Sequence, residues 1–201
     1  IAIFGHGLVG GTLINQILES APAIEKRKDI KLNVFAIANS KNLLLNKNGV
    51  SPNWKNEIQT NGFAYTINDV IAFANDNHLE NLIAVDNSAS AVFVENYTKL
   101  AENGFDLISS NKVANTLSYK FYKDLRKVLA ENQKNYLYET NVGAGLPLID
   151  TIKLLHLSGE NITKIKGVFS GTLSYLFNNF SAKDVPFSEI LKEAIDNGYT
   201  E

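Results

Sequence analysis

Five sets of residues have types and spacings that support chemistry. The first is the Gly-x-Gly-x-x-Gly run of Gly5, Gly7 and Gly10. Its chemistry lies in missing side chains: Gly5 permits a tight turn, Gly7 lets a pyrophosphate approach the backbone, and Gly10 lets a following helix pack closely on a strand. The start of such a helix turns free N–H groups and a positive dipole end toward phosphates, so Leu8 and Val9 join the glycines as expected cofactor-binding positions. Any glycine-rich turn can carry the pattern, and a purely structural turn is the alternative. The second set is Asn39-Ser40-Lys41. An enzyme selective for the unphosphorylated nicotinamide cofactor usually places Asp or Glu here to hold the ribose 2′-hydroxyl. Two hydrogen-bonding side chains and a cation suit a 2′-phosphate instead, and no carboxylate repels it. A polar loop with a solvated lysine is the plain alternative.

The third set is Ser110-Asn111-Lys112, where a lysine can orient a substrate or carry a proton, or simply remain a solvated charge. The fourth runs from Glu139 through Pro147. Its glycines Gly143 and Gly145 leave carbonyls that can hold a hard cation, or make an ordinary strand-to-helix turn. The fifth, Ser170-Gly171-Thr172, offers Thr172 equally as a helix cap and as a ligand contact. Tyr119-x-x-x-Lys123 imitates the acid pair of short-chain dehydrogenases, but the glycine pattern differs from that family's. Tyr119 therefore reads as a core or surface aromatic.

These residues need elements to position them, and the hydrophobic pattern supplies an alternation of strands and helices. The apolar run Ile1–Phe4 reads as a buried parallel strand feeding a helix from about Val9 to Ser20, with residues 21–29 a polar connection. Lys31–Ala38 is a second strand, and residues 42–66 read as short helix and loop. An apolar helical spacing covers Ile67–Asn77, and Leu82–Asp86 is the third strand. It ends in Asp86-Asn87-Ser88-Ala89-Ser90, polar residues on the same side of the sheet as the glycine loop, with a helix cap the alternative for Ser88 or Ser90. A helix over 91–103, a strand over 106–109, a helix over 116–132 and a strand over 136–140 follow. The pattern predicts an α/β fold: a Rossmann-type, doubly wound, mostly parallel sheet over residues 1–144. From about residue 145 a second, α+β, substrate-bearing domain is expected. It would hold a helix over 147–157, a half-exposed strand over 162–170, and helices opening near Gly171 and Phe187.

Composition sets the bounds. The chain has 201 residues, 45% of them hydrophobic, and a formal net charge of -2, values of a water-soluble globular protein rather than a nucleic-acid surface. No apolar run reaches the length of a membrane span, and no export signal is evident, so neither membrane nor secretion is expected. With no cysteine in the sequence, thiolate catalysis within this chain is excluded; the count fits a reducing compartment as it would fit others, and a cytoplasmic location is expected. There is no methionine either, and the chain begins on a strand, so it reads as an excised piece.

Taken together, these segments resemble homoserine dehydrogenase, and specifically the dehydrogenase half of the bifunctional enzymes that join it to aspartokinase. The glycine run, Ala38 through Lys41, Ser110 through Lys112, Glu139 through Pro147, Ser170 through Tyr175 and Gly198 through Glu201 carry the likeness in order along the chain. The resemblance implies interconversion of L-homoserine and L-aspartate 4-semialdehyde with NADP or NAD. It implies that Lys112 moves the hydroxyl proton beside the cofactor, that Glu201 binds the substrate amino group, that Thr172 and Tyr199 are further substrate contacts, and that Ser88 lies near the nicotinamide. It also implies that carbonyls of Glu139, Val142, Ala144 and Leu146 hold a monovalent cation, commonly sodium. The parent implied is a homo-oligomer fused to a kinase. The family continues past the position of Glu201 with an aspartate and a second lysine, which this sequence does not contain, and a non-catalytic dinucleotide-binding module is therefore the alternative function.

Overall fold

The apolar start of the sequence forms β1 (Ala2–Phe4), fully buried, in a computed structural model that describes residues 1–200. The chain divides into two units, Ile1–Asn141 and Val142–Glu201. In the first, β1 leads into α1 (Leu8–Lys28), β2 (Ala36–Ala38), β3 (Leu43–Leu45), α2 (Trp54–Thr60), α3 (Ile67–Asp76), β4 (Ile83–Asp86), α4 (Ala91–Val94), α5 (Tyr97–Glu102), β5 (Asp106–Ser109), α6 (Tyr119–Glu131) and β6 (Tyr136–Leu137). The strands lie in the order β3-β2-β1-β4-β5-β6, all pairings parallel except β2 with β3. From β1 the chain first builds outward through β2 and later returns to add β4 on the other side. The crevice between their carboxyl ends is the topological switch point, where open α/β sheets bind ligands.

Alternation along the strands divides the core between the two faces of the sheet. Ala2, Phe4, Ala36, Ala38 and Ala84 pack with Val70 and Ala74 of α3, Leu100 of α5 and Leu125 of α6. Ile3, Ile37 and Val85 pack with Ile14 of α1 and with Trp54 and Ile58 of α2. Burial on both faces is why the strands read as continuous apolar runs.

Several expectations need correction here. The 21–29 connection is helical: α1 runs through Pro22 to Lys28, because Ile17, Ala21 and Ile24 continue its half-buried stripe. Proline's fixed φ suits a helix and costs one backbone bond, and the helix ends where Asp29 takes a left-handed φ of 55°. Lys26, Arg27 and Lys28 place positive charge at the negative end of its dipole. Residues 42–66 contain β3, an antiparallel edge strand, as well as α2. The single helix expected over 91–103 breaks into α4 and α5, and the one expected from 116 begins at Tyr119 with Ser118 as its cap. The strand expected over 136–140 stops at Leu137, and Glu139–Asn141 is a 3-10 turn.

The second unit contains α7 (Leu148–Leu157), α8 (Gly171–Ala182) and α9 (Phe187–Asp196), with no strand among its described residues. Its small core is Leu176 of α8 with Ile190 and Ala194 of α9. The strand expected over 162–170 is absent. Its alternating pattern meets no partner ladder within the unit, and Ile165 and Val168 stay exposed, the latter at 78%. Among the described residues no helix is long and apolar enough to cross a membrane.

Candidate functional site

The glycine loop sits at the switch point and its three glycines do different work. Gly5 has φ +84°, and a side chain there would lie 2.8 Å from the backbone of Asn87 and Ser88, so the turn after β1 is wedged against the end of β4. A Cβ on Gly10 would fall 1.9 Å from the Gly5 carbonyl oxygen, which is how closely α1 approaches the strand. Gly7 is the reverse case: nothing lies within 4 Å of where its Cβ would be. It caps α1 without a side chain, so the first N–H groups of the helix are left for a ligand. Leu8, 89% exposed, and Val9 stand at this open helix start.

Beside the loop opens a cleft of roughly 800 Å³, in the size range of small-molecule sites. Gly5, Gly7, Asn39, Ser40 and Ser88 line it, with Tyr65 and Phe93 among the aromatic walls. A bare loop, an open helix N-terminus and a cleft at the switch point together fit a dinucleotide. Lys41 and Lys112 are exposed and lie outside this lining.

At the end of β2 the carboxamide of Asn39 shapes the loop. Its Oδ1 accepts from the backbone N–H groups of Lys41 (2.8 Å) and Asn42 (2.7 Å), and its Nδ2 faces His6 Nε2 at 3.0 Å. The Tyr65 hydroxyl donates to the Asn39 carbonyl (3.0 Å). Burial, and after it the Asp86 carboxylate, push the Tyr65 hydroxyl above the usual tyrosine range, which keeps it a donor.

The ends of β4 and β5 are joined by a buried polar network around Asp86. Its Oδ1 accepts from Ser88 N (2.8 Å), and its Oδ2 accepts from the Tyr97 hydroxyl (2.7 Å) and from Asn111 Nδ2 (2.9 Å). Its backbone carbonyl accepts from the N–H of Ser110 (3.0 Å). Ser109, also buried, donates from its hydroxyl to the Asn111 carbonyl (2.9 Å). Burial first and the Asp86 charge second push the Tyr97 hydroxyl far above the ordinary tyrosine range. The network fixes the turn that carries Ser88 and the turn that carries Lys112, which opens a short 3-10 segment at Val113–Asn115. Ser90, not Ser88, caps α4 by accepting from Phe93 N (3.1 Å). Tyr97, Tyr65 and His6 belong to the hydrogen-bonded frame of the strand ends, and the sequence pattern does not single them out. Position beside the first two glycines is the one signal that could have flagged His6.

In the second unit the cap of α8 is Ser170, which accepts from Leu173 N at 3.2 Å. Thr172 is therefore not the cap: its hydroxyl donates to the Tyr199 carbonyl at 2.5 Å. The rings of Tyr175 and Tyr199 stand 4.8 Å apart, and the Tyr175 hydroxyl donates to Glu193 (2.8 Å). Thr172 and Tyr199 thus meet in one cavity of roughly 500 Å³, lined also by Gly171, Tyr175, Gly198 and Ala144. Glu201 lies outside the described residues. Of the expected cation-holding positions, Glu139 begins the 3-10 turn of the first unit. In the second unit, Gly143 and Ala144 take left-handed φ values of 75° and 50°. The Leu146 carbonyl accepts from Leu148 N (2.9 Å). Tyr119 is a surface aromatic, with Lys123 Nζ 5.6 Å over its ring.

Comparison with known proteins gives a consistent result over the whole chain. Residues 5–139 match the family model described as homoserine dehydrogenase, NAD binding domain, and residues 147–201 match the one described as homoserine dehydrogenase. The bifunctional aspartokinase/homoserine dehydrogenase of Buchnera aphidicola subsp. Acyrthosiphon pisum is 39% identical over 99% of this chain and 24% of its own length. The homoserine dehydrogenase of Schizosaccharomyces pombe is 36% identical over 100% of this chain and 55% of its own. A solved hyperthermophilic archaeal homoserine dehydrogenase in complex with NADPH shares the fold, with a TM-score of 0.78 and 24% identity over 100% of this chain and 61% of that one. The chain thus spans about a quarter of the bifunctional relative and about half of the yeast enzyme.

Proposed function

Because this chain belongs to the homoserine dehydrogenase family, we propose that it carries the nucleotide-binding part and the first section of the substrate-binding part of an NAD(P)-dependent oxidoreductase. The reaction proposed is interconversion of L-homoserine and L-aspartate 4-semialdehyde. The observation that carries this reading is the glycine loop at the switch point, open at Gly7 and beside a cleft of nucleotide size, within residues that match the family's NAD-binding domain.

A nicotinamide dinucleotide, when bound, supplies the hydride chemistry. The chain's own residues supply binding, orientation and proton handling. Gly5, Gly7 and Gly10 with the N–H groups of Leu8 and Val9 hold the pyrophosphate, and Ser88, tied to Asp86, borders the nicotinamide end. Asn39, Ser40 and Lys41 address the ribose, and the absence of a carboxylate there favours NADP. Lys112 Nζ takes or returns the hydroxyl proton. Thr172 and Tyr199 contact the substrate, and Glu201 holds its amino group. A monovalent cation at the carbonyls of Glu139, Val142, Ala144 and Leu146 and a homo-oligomeric parent rest on the family resemblance alone. Fusion to an aspartokinase is supported by the bifunctional relative, and a cytoplasmic location by the cysteine-free sequence. The domain boundary proposed for the parent lies at residues 144 and 145.

Fluorescence titration of the 201-residue chain with NADPH and NADH, followed by an assay of homoserine-dependent NADP reduction, tests the reading. Saturable nucleotide binding is expected. Binding of neither nucleotide removes the assignment of Gly5 to Gly10, and binding without turnover in the full-length parent supports the non-catalytic module instead.

A further inference from the structure

His6 fills the variable position between Gly5 and Gly7. It lines both the main cleft and a side cavity of roughly 270 Å³ shared with Asn39, Asn42, Trp54, Lys55 and Gln59. The hydrogen bonds of Asn39 decide the chemistry of the imidazole. Asn39 Oδ1 is held by two backbone N–H groups, so the end turned toward His6 is the NH2 group, which can only donate. Nε2 of His6, 3.0 Å away, therefore accepts, and a neutral ring that accepts at Nε2 carries its hydrogen on Nδ1. Trp54 meets the ring edge-on, centroids 5.5 Å apart, and is itself anchored by its indole N–H to Asn15 Oδ1 at 3.0 Å. Tautomer and ring orientation are thus both set before any ligand arrives, and the spare donor belongs to a residue of the cleft wall.

The ligand group that such a donor meets follows from its place in the fold. Asn39 directly follows β2, the position at which a Rossmann sheet meets the 2′ substituent of the adenosine ribose. Lys55 adds a cation to the same side cavity. A preorganised N–H beside a cation suits an anion, and hydrogen bonds to charged groups are the strong ones. We propose that His6 is a specificity residue whose Nδ1–H donates to the 2′-phosphate, so that the variable residue of the glycine loop takes part in choosing NADPH over NADH. The inference rests on the nucleotide reading above and adds to it a residue and an atom.

The test compares the unaltered chain with His6→Gln and His6→Phe, measuring Kd for NADPH and NADH at one ionic strength. Phenylalanine keeps an aromatic ring against Trp54 but neither accepts from Asn39 nor donates. It should weaken NADPH about tenfold and leave NADH within about twofold. Glutamine can accept from Asn39 through its oxygen and donate through its nitrogen, and should retain most of the preference. Retained NADH affinity in the phenylalanine variant shows that the site is folded. Equal weakening of both nucleotides in His6→Phe, or an unchanged NADPH-to-NADH ratio, overturns the role of His6 while leaving the nucleotide reading intact. Failure of the unaltered chain to bind either nucleotide overturns both.

Discussion

Alanine at Gly10 and alanine at Gly7 probe one loop with opposite expected outcomes. At Gly10 the added methyl would fall 1.9 Å from the Gly5 carbonyl oxygen and 2.9 Å from its carbon, with Asn87 Cβ at 3.3 Å. Ordinary contact begins near 3.4 Å, so α1 and β1 must separate by about 1.5 Å, and the obstructing atoms are backbone rather than the tip of a yielding side chain. Overpacking of this kind costs about 3 kcal/mol, the upper end of its usual range. At about 2–4 °C per kcal/mol for a chain of this size, Tm should fall roughly 6–12 °C. At Gly7 the methyl meets nothing within 4 Å, so stability changes only by the exchange of glycine for a poorer helix cap, about 1 kcal/mol or less. That methyl, however, occupies the approach to the open end of α1, and NADPH affinity should drop about tenfold or more. Thermal unfolding followed by circular dichroism, with fluorescence titration of NADPH, reads both effects. A Gly7→Ala variant that binds NADPH as the unaltered chain does would refute the placement of the pyrophosphate. A Gly10→Ala variant with unchanged Tm would refute the close helix-to-strand contact.

The remaining predictions concern the polar framework. Asp86→Asn sets an amide donor against one of three donors now satisfied by the carboxylate, from Ser88, Tyr97 and Asn111. It should cost about 1–3 kcal/mol in urea unfolding, and a change below about 0.5 kcal/mol would contradict the network. Tyr97, Tyr65 and Tyr136 all have hydroxyls raised above the ordinary value of 10.0, chiefly by burial. Their contribution to stability is complete below that value, where both states keep the proton. It is lost as pH rises above it, because the unfolded chain deprotonates first. Tyr97→Phe should lower the slope of stability against pH above pH 10 by about 1.4 kcal/mol per pH unit, whereas an unchanged slope would place Tyr97 in water. The Asp69 carboxylate accepts from the N–H and hydroxyl of Thr66 at the start of α3, and these bonds hold it below its ordinary value of 3.8. Its contribution is present above that value and lost as pH falls through the lower folded one. Asp69→Asn should therefore lose less Tm than the unaltered chain on acidification from about pH 5 to pH 2.

The hydrophobic pattern of the chain located most of the doubly wound unit, and for a local reason. Strands buried on both faces read as apolar runs wherever they occur: Leu82–Asp86 was expected and Ile83–Asp86 is found, while the bounds of Asp106–Ser109 agree at both ends. The glycine loop was equally legible as the turn between β1 and α1, because that geometry resides in residue types at fixed spacing. The failures lie where partners decide. Leu43–Leu45 is a strand only because β2 is there to pair with it, and residues 162–170 alternate correctly yet form none because no ladder meets them. Residues 21–29 read as a polar connection, but a half-buried stripe that continues through Pro22 keeps them helical to Lys28 at the cost of one backbone bond.

The site divides the same way. The sequence by itself determined a glycine loop between a strand and a helix, a carboxylate-free end to β2, and a lysine following β5, since each is a matter of which residues follow a strand. Only the tertiary structure decided that Asp86 would be shared by Tyr97 and by Asn111 from the next strand end, and that Asn39 would meet His6 across 33 residues. It also made Ser170 the cap of α8 and sent the Thr172 hydroxyl to Tyr199. The physical reason is that a hydrogen bond is a property of a pair. Residue spacing fixes what each partner can donate or accept, and the sheet order and the turns at the strand ends fix which partners come within 3 Å.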